Sequence, residues 1–327
     1  MLSYSKHESF KKNKLVSNIL KIKNEIIGFF ILVLTIIHLP FISTPTIFSD
    51  TMKTLVPFLN SCSFSHVPEL RDPFRFYSLC FSDHVLGNVY TIPTLSMLAL
   101  LVIVFYYTKK LTSSTTYSLI AVLGVVISHS FAHYGFSATY DQTWVLLLFS
   151  SLLLLNTRFS YLAVIPFIIS LGFRGLPLLD MPIISAQIII LNHTRKKKLL
   201  LIIPFILVSI ISIIYILDGG YALTQAQQLS FNLVRGFESI QSYRMDMILF
   251  ACAIPEILLL YKIKTKEASF ILLSISYLIF QTYYLYAFSN LVQQPYRLFP
   301  LIIMISLGYS YILSRMSLLR DEIKLRN

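Results

Sequence analysis

Apolar stretches of spanning or near-spanning length dominate the chain and are separated by short polar breaks. About 20 apolar residues make one crossing of a ~30 Å hydrocarbon core, and 56% of the 327 residues are hydrophobic. The stretches lack strand-like alternation, and backbone groups in hydrocarbon must pair internally, which favours helices. The pattern predicts an all-α polytopic membrane protein with ten transmembrane helices. These lie near residues 25–44, 89–108, 116–134, 143–156, 160–174, 181–194, 199–217, 246–261, 268–288 and 298–314.

Basic residues fall mainly on one side of the membrane when ten helices are counted from a cytosolic N-terminus. This side receives 20 of the 27 lysines and arginines, including the run 195–198 and both termini. Merging any helix pair would move the later clusters to the opposite face, against the positive-inside bias. Arg158 is the main reason for placing two helices between residues 143 and 174. The net charge of +12 therefore reflects topology and attraction to anionic lipid headgroups, and it predicts no nucleic-acid partner.

A single membrane domain is expected. Residues 1–24 form a basic cytosolic segment, residues 25–314 the transmembrane domain and residues 315–327 a basic cytosolic tail. The first helix is interpreted as a retained signal anchor, since no small-residue cleavage site follows it. The two long outer loops, 45–88 and 218–245, are expected to contain short interfacial helices. Cys62 and Cys80 share the first loop, where one disulfide and two separate buried thiols are both open.

Two outer carboxylates are the candidate catalytic groups. Asp50 lies just beyond the first helix, where it either caps the segment starting at Thr51 or faces a lipid-borne substrate. Asp141 lies in a very short outer turn, beside Tyr140 and Trp144. A carboxylate in so short a turn has few purely structural uses, so Asp141 is the second candidate.

Two histidines precede that turn. His129 and His133 are four residues apart and share one helical face. With Asp141 they have the residue types of a metal site, although neither histidine has an evident third partner nearby. The alternative, which we favour, is that both line the outer helix end and form hydrogen bonds within the bundle.

Outer arginines are candidates for binding a lipid phosphate, because the guanidinium group is planar and permanently charged. Arg297 precedes the tenth helix, where the alternative is an anchor at the headgroup level. Arg244 and Arg235 lie in the second long loop. Arg174 shares a short connection with Asp180, and a structural ion pair between them is an equal alternative.

Glu256 is an ionisable residue within a predicted span, a position that is costly and functional by default. It follows Pro255 and lies about six residues from the inner end of its helix, or ~9 Å at 1.5 Å per residue. Lys262 and Lys264 follow within reach. We therefore expect a local structural pairing with one of these lysines.

Several segments resemble the GT-C class of polytopic, lipid-dependent glycosyltransferases. The overall order is similar: a basic N-terminus, one helix, a long outer loop with an acid just after that helix, and many further spans. SATYDQTWVLLLFSSLLLL is similar to the family's acid before its fourth helix, ISLGFRGLPLLDMPIISAQIIIL to a basic residue and proline before a span, and QQPYRLFPLIIMI to a late arginine before a helix. The chain departs from the family in carrying FSD where many members have paired acids, and in being short.

The resemblance implies a sugar transfer on the non-cytosolic face of a prokaryotic plasma membrane or the endoplasmic reticulum. The substrates would be a polyprenyl- or dolichyl-phosphate sugar and a glycan or protein acceptor. Asp50 would be the catalytic base or hold a divalent cation, Mg²⁺ or Mn²⁺. Asp141 would position the acceptor or the metal. His133 is a candidate metal ligand only through its spacing from His129, and the resemblance assigns it no role. Arg297, with Arg244 or Arg174, would neutralise the phosphate that leaves.

Three other functions fit the same pattern. An oligosaccharide-unit polymerase shares the basic cytosolic face and outer arginines, and would depend on arginines more than on Asp50. A transporter is expected to have polar or broken helices near the midplane and often two similar halves, whereas these spans are apolar apart from Glu256. A structural subunit of a membrane complex also suits ten apolar helices with modest loops.

Overall fold

The computed structural model describes Cys62 and residues 73–138, 141–173, 176–218, 246–288 and 298–326, and all regular structure in these ranges is helical. The predicted first helix, 25–44, and most of both long loops lie outside them. The α-helices are α1 Pro73–His84, α2 Thr91–Thr112, α3 Thr115–Val126, α4 His129–Tyr134, α5 Asp141–Leu155, α6 Val164–Phe173, α7 Met181–Ile190, α8 Arg195–Asp218, α9 Asp246–Lys262, α10 Lys266–Phe288 and α11 Phe299–Arg326. Short 3₁₀ helices, Ser160–Ala163 and Leu176–Asp180, precede α6 and α7.

The buried centre of this part of the chain is the first half of α11. Nearly every side chain from Leu298 to Ile312 is buried, and α11 packs against α2, α3, α9 and α10. Small residues permit the close approach that membrane helices use for association. Gly124 on α3 faces Ser306, and a Cβ at position 124 would lie 2.8 Å from the Ser306 Oγ.

Three described helices are long and apolar enough to cross a membrane: Thr91–Thr112, Arg195–Ile214 and Phe299–Ser317. Other apolar helices are shorter; α3, for example, has 12 residues and extends about 18 Å. Helix α8 presents the most apolar surface, with Leu200 and Ile211 exposed by 71% and 65%. The helical membrane class is therefore supported, whereas the count of ten crossings and the side of the termini stay predictions.

Two lysines at helix ends each contact an asparagine that directly follows a neighbouring helix. The Lys110 ammonium at the end of α2 donates to the backbone oxygen of Asn156, just after α5. The Lys266 ammonium at the start of α10 donates to Asn192 Oδ1 at 2.6 Å, just after α7. We call this the inner end of the bundle, after the predicted topology, and the opposite end, where α2, α5 and α7 begin, the outer end.

One predicted helix is wrong as drawn. The stretch 116–134 breaks at Ile127 and Ser128 into α3 and α4. Ser128 caps the second piece, because its Oγ accepts a hydrogen bond from the Phe131 amide at 3.1 Å. That Oγ also donates to the Val125 oxygen at 2.7 Å, which satisfies a carbonyl at the end of the first piece. A side-chain oxygen that serves both ends stabilises the break.

Candidate functional site

Most of the predicted site residues lie outside the described part of the chain. This is true of Asp50, Arg174, Arg235, Arg244 and Arg297. Asp141 is the first residue of α5, and the description there covers its backbone but not its side chain. The distance between the Asp50 and Asp141 carboxylates therefore stays a prediction, as does any metal bound between them. The described residues that surround these positions define the rest of the site.

Helix α1 belongs to the first outer loop and has the character of an interfacial helix. Pro73 occupies its first position, where the missing N–H costs nothing. Phe81 on this helix is exposed, as are Val85 and Leu86 in the turn after it, whereas Leu79 and Cys80 are buried against the bundle. The buried cluster there consists of Leu79, Cys80, Val89 and Ala138, with Cys62, Tyr77 and Tyr90 packed against it. Ala138 lies three residues before Asp141, so the first outer loop contacts the chain just before this acid.

The other end of α1 packs on the outer end of α6. The rings of Phe74 and Phe173 lie 6.0 Å apart between centroids. Gly172 makes room for this contact, because a Cβ there would overlap the ring of Phe74. Arg174 follows Phe173 directly in the sequence. A single helix of the first loop thus contacts the chain immediately before both Asp141 and Arg174.

The turn before α5 is fixed by Gln142, a residue that the sequence analysis passed over. Its Nε2 donates to the backbone oxygens of Tyr134 at 2.8 Å and Ser137 at 3.2 Å, and its side chain is fully buried. The next residue, Thr143, donates from Oγ1 to Ser96 Oγ on α2 at 2.9 Å. These bonds set the start of α5, and with it the backbone of Asp141. The sequence signal for this role is a glutamine directly after an acid in a short turn.

Cys62 and Cys80 are joined in a disulfide, with 6.1 Å between their Cα atoms. This resolves the alternative that the sequence left open. Within the described ranges, the two cysteines and His84 are also the one group of three potential metal-ligand side chains whose ligand atoms lie within 4.8 Å of one another. Because a disulfide has no thiolate to offer, this group is not a metal site in its oxidised form.

His129 and His133 contact each other, with 4.1 Å between their ring centroids. His129 is half-buried and His133 is exposed at the outer end. Among the side chains that the structure describes, no acid or cysteine joins them in a three-ligand group. The Asp141 side chain lies outside the description, so the metal site and the bundle-lining interpretation of these histidines both stay predictions.

Asp180 is buried at the outer end, with 1% of its surface exposed. Neither carboxylate oxygen has a hydrogen-bond partner among the described residues. Burial raises the pKa of Asp180 to about 7, and the Gln281 side chain on α10 partly opposes this rise. The neighbouring Leu179 oxygen accepts a hydrogen bond from the Tyr277 hydroxyl, also on α10. The predicted partner, Arg174, is outside the described residues, so the ion pair stays a prediction.

The predicted pairing of Glu256 with Lys262 or Lys264 is wrong. Glu256 is fully buried on α9, and both of its carboxylate oxygens lack a hydrogen-bond partner in the residues that the structure covers. Both lysines are exposed instead. Glu256 points at Gly308 on α11, because the backbone direction of α9 turns it into the bundle and away from its own helix end.

Helix α1 contacts the chain just before both Asp141 and Arg174. The buried carboxylates of Asp180 and Glu256 have no hydrogen-bond partner among the described residues. No protein-family model, curated protein or solved structure matches this chain. A function must therefore be argued from these residues.

Proposed function

We propose that this protein is a membrane glycosyltransferase that moves a sugar from a polyprenyl-phosphate carrier to an acceptor on the non-cytosolic face. Asp50 is the general base that takes the proton of the acceptor hydroxyl. Asp141 positions the acceptor or a divalent cation. Arg297, with Arg244 or Arg174, neutralises the carrier phosphate as it leaves.

The packing of α1 is the observation that carries this proposal. This helix of the first outer loop buries Cys80 and Leu79 beside Ala138, and its Phe74 contacts Phe173. A site assembled from three outer segments needs such a contact, because each segment alone is too short to fold. The disulfide from Cys62 to Cys80 supports it further, since it fastens the rest of the loop to α1.

The chemistry asks little more of the protein than position and charge. The carrier phosphate is already a leaving group, so holding the hydroxyl against the sugar carbon and neutralising the departing phosphate lower most of the barrier. A general base contributes a further ~10²–10⁴-fold. The hydroxyl proton passes to the base while the new C–O bond forms and the bond to the phosphate oxygen breaks.

The test is transfer from a polyprenyl-phosphate sugar by the purified protein in lipid nanodiscs. Asp50→Asn should lower the rate at least ~100-fold, the lower bound for a lost base, and Asp141→Asn should lower it because the acceptor or the cation is no longer positioned. Asp83→Asn is the matched control, since Asp83 is an outer acid on α1 with no role in the proposal, and it should keep full activity. Transfer that survives Asp50→Asn but not Arg297→Gln would favour the oligosaccharide-unit polymerase. Transfer that is unaffected by all of these changes would refute the assigned site.

A second function, transport, is favoured by Glu256 alone. A fully buried carboxylate within a span, without a partner in the described residues, is typical of ion and proton pathways. Uptake of a candidate solute into proteoliposomes that Glu256→Gln abolishes, with Asp50→Asn left active, would establish this reading. Absence of uptake together with sugar transfer would exclude it.

A further inference from the structure

Exposed cations meet at the inner end of α7, α8 and α10. Helix α7 packs against both α8 and α10, so its end lies between their first turns. Arg195, Lys196 and Lys197 begin α8, and all three are exposed. Lys266 begins α10, and its ammonium contacts Asn192 at 2.6 Å. The start of α10 therefore contacts the α7–α8 connection three residues before the basic start of α8.

Little opposes this positive charge locally. Glu267 is the one acid in the first turn of α10, and α8 has none in its first turn. At the same place, His193 Nε2 is shielded from solvent and has no hydrogen-bond partner in the described ranges. Like charges held together at a protein surface are unfavourable unless an anion neutralises them.

Apolar surface continues directly from the cations. Ile189, at the end of α7, is exposed by 64%, and Leu199 and Leu200 on α8 by 58% and 71%. Helices α8 and α10 have no extensive packing with each other in the part of the chain described, so α7 forms the floor between them. A ligand that fits must carry negative charge at one end and long apolar chains at the other.

We propose that this surface is a binding site for one anionic glycerophospholipid. Its phosphate lies among Arg195, Lys196, Lys197 and Lys266, and its acyl chains lie along Ile189 and the exposed face of α8. Basic clusters between helices at the cytoplasmic side are the usual setting for such lipids. The site lies at the opposite end of the bundle from Asp141, and it is independent of the proposed glycosyltransferase activity.

The test compares binding of phosphatidylglycerol and phosphatidylcholine, with identical acyl chains, to the delipidated protein in neutral detergent. Native mass spectrometry gives the dissociation constant of each, and thermal unfolding gives the stabilisation. We expect phosphatidylglycerol to bind about tenfold or more tightly, and added salt to weaken it. Glycerol phosphate, which lacks acyl chains, should neither bind measurably nor stabilise.

Variant Lys196→Gln/Lys197→Gln/Lys266→Gln should lose affinity for phosphatidylglycerol about 100-fold, since each basic residue near an anionic surface contributes about 1 kcal/mol. Lys109→Gln/Lys110→Gln/Arg158→Gln removes equal charge from another inner connection and should change it less than about threefold. Equal losses in both variants would mean general charge attraction and would overturn the site. Tight binding of glycerol phosphate would show an anion site instead. Should the first variant misfold, Arg195→Gln alone must still lose several-fold affinity.

Discussion

The contact between α9 and α11 gives the sharpest prediction about the fold. Gly308 on α11 faces Glu256, and a Cβ at position 308 would overlap Glu256 Oε1 and lie 2.9 Å from its Cδ. Ile271 on α10 closes the other side, with its Cγ2 at 3.1 Å from the same Cβ position. Glu256 and Ile271 are both fully buried. The Glu256 carboxylate would have to move within these buried surroundings to admit the Cβ, so Gly308→Ala should destabilise the bundle.

The magnitude follows from two opposing effects. Overpacking a well-filled core costs about 1–3 kcal/mol. Alanine recovers about 1 kcal/mol of helix propensity relative to glycine. The net loss of stability in Gly308→Ala should therefore be about 1 kcal/mol. Truncating Glu256 to alanine should reverse the sign of this effect. In the Glu256→Ala background, the same change at position 308 should stabilise by up to about 1 kcal/mol, because the propensity gain is then opposed only by the tight contact with Ile271.

Reversible unfolding in mixed detergent, measured for the four proteins of the double-mutant cycle, supplies the assay. We expect a coupling energy between positions 256 and 308 of up to about 2 kcal/mol. Distant, independent sites add within about 0.3–0.5 kcal/mol. A coupling energy inside that range would show that Glu256 does not fill the space at Gly308, and the packing argument would fail. Gly87→Ala is an unsuitable control despite its open surroundings, because Gly87 has a φ of +71°.

Three further predictions concern the outer end. Gly172→Ala should release Phe74 and expose the amides of α1 to hydrogen exchange, whereas a Phe74→Ala background should tolerate it; equal protection of α1 in all variants would refute the contact. Reduction, or Cys80→Ser, should lower the stability by about 3 kcal/mol, the loop-entropy estimate for two cysteines that are 18 positions apart. An unchanged unfolding midpoint under reductant would contradict the disulfide. Burial raises the pKa of Asp180 from 3.8 to about 7, so the folded state retains a proton that the unfolded chain releases. Stability should therefore fall as pH rises from about 4 to about 7; unfolding midpoints across this range should show a smaller fall in Asp180→Asn, and an identical pH profile would refute the assignment.

The helix positions were largely predictable because hydrophobic length is a local property. The ends of the helices were less predictable, because hydropathy and helical hydrogen bonding end at different residues. The stretch predicted to end at residue 108 continues in α2 to Thr112, and the one predicted to begin at residue 199 begins in α8 at Arg195. Hydropathy stops at the first lysine, whereas helical hydrogen bonding does not, since long basic side chains extend their charge toward water.

The partners of the buried acids were not predictable from local spacing. Lys262 lies six residues after Glu256 on the same helix. The Glu256 side chain nevertheless lies against Gly308, 52 positions along the chain. Asp180 also lies beside Gln281 on α10, a contact that its sequence neighbours do not indicate, while its pairing with Arg174 stays a prediction. Such contacts depend on which helices pack together, and the apolar pattern of each helix carries little information about its neighbours because lipid and protein interiors are equally apolar.

The two buried carboxylates bear directly on the choice between the proposed functions. Burying an acid without a partner costs free energy, and a protein bears that cost where a ligand or a proton relieves it. Asp180 ends the short connection that carries Arg174, a proposed phosphate-binding residue, and the predicted ion pair between them would position that arginine for glycosyl transfer. Glu256 lies between α9 and α11, away from the outer end, as an ion pathway would require. Asp180→Asn and Glu256→Gln should therefore act on different readouts. A loss of sugar transfer in the first variant alone would support the glycosyltransferase, and a loss of solute uptake in the second alone would support the transporter.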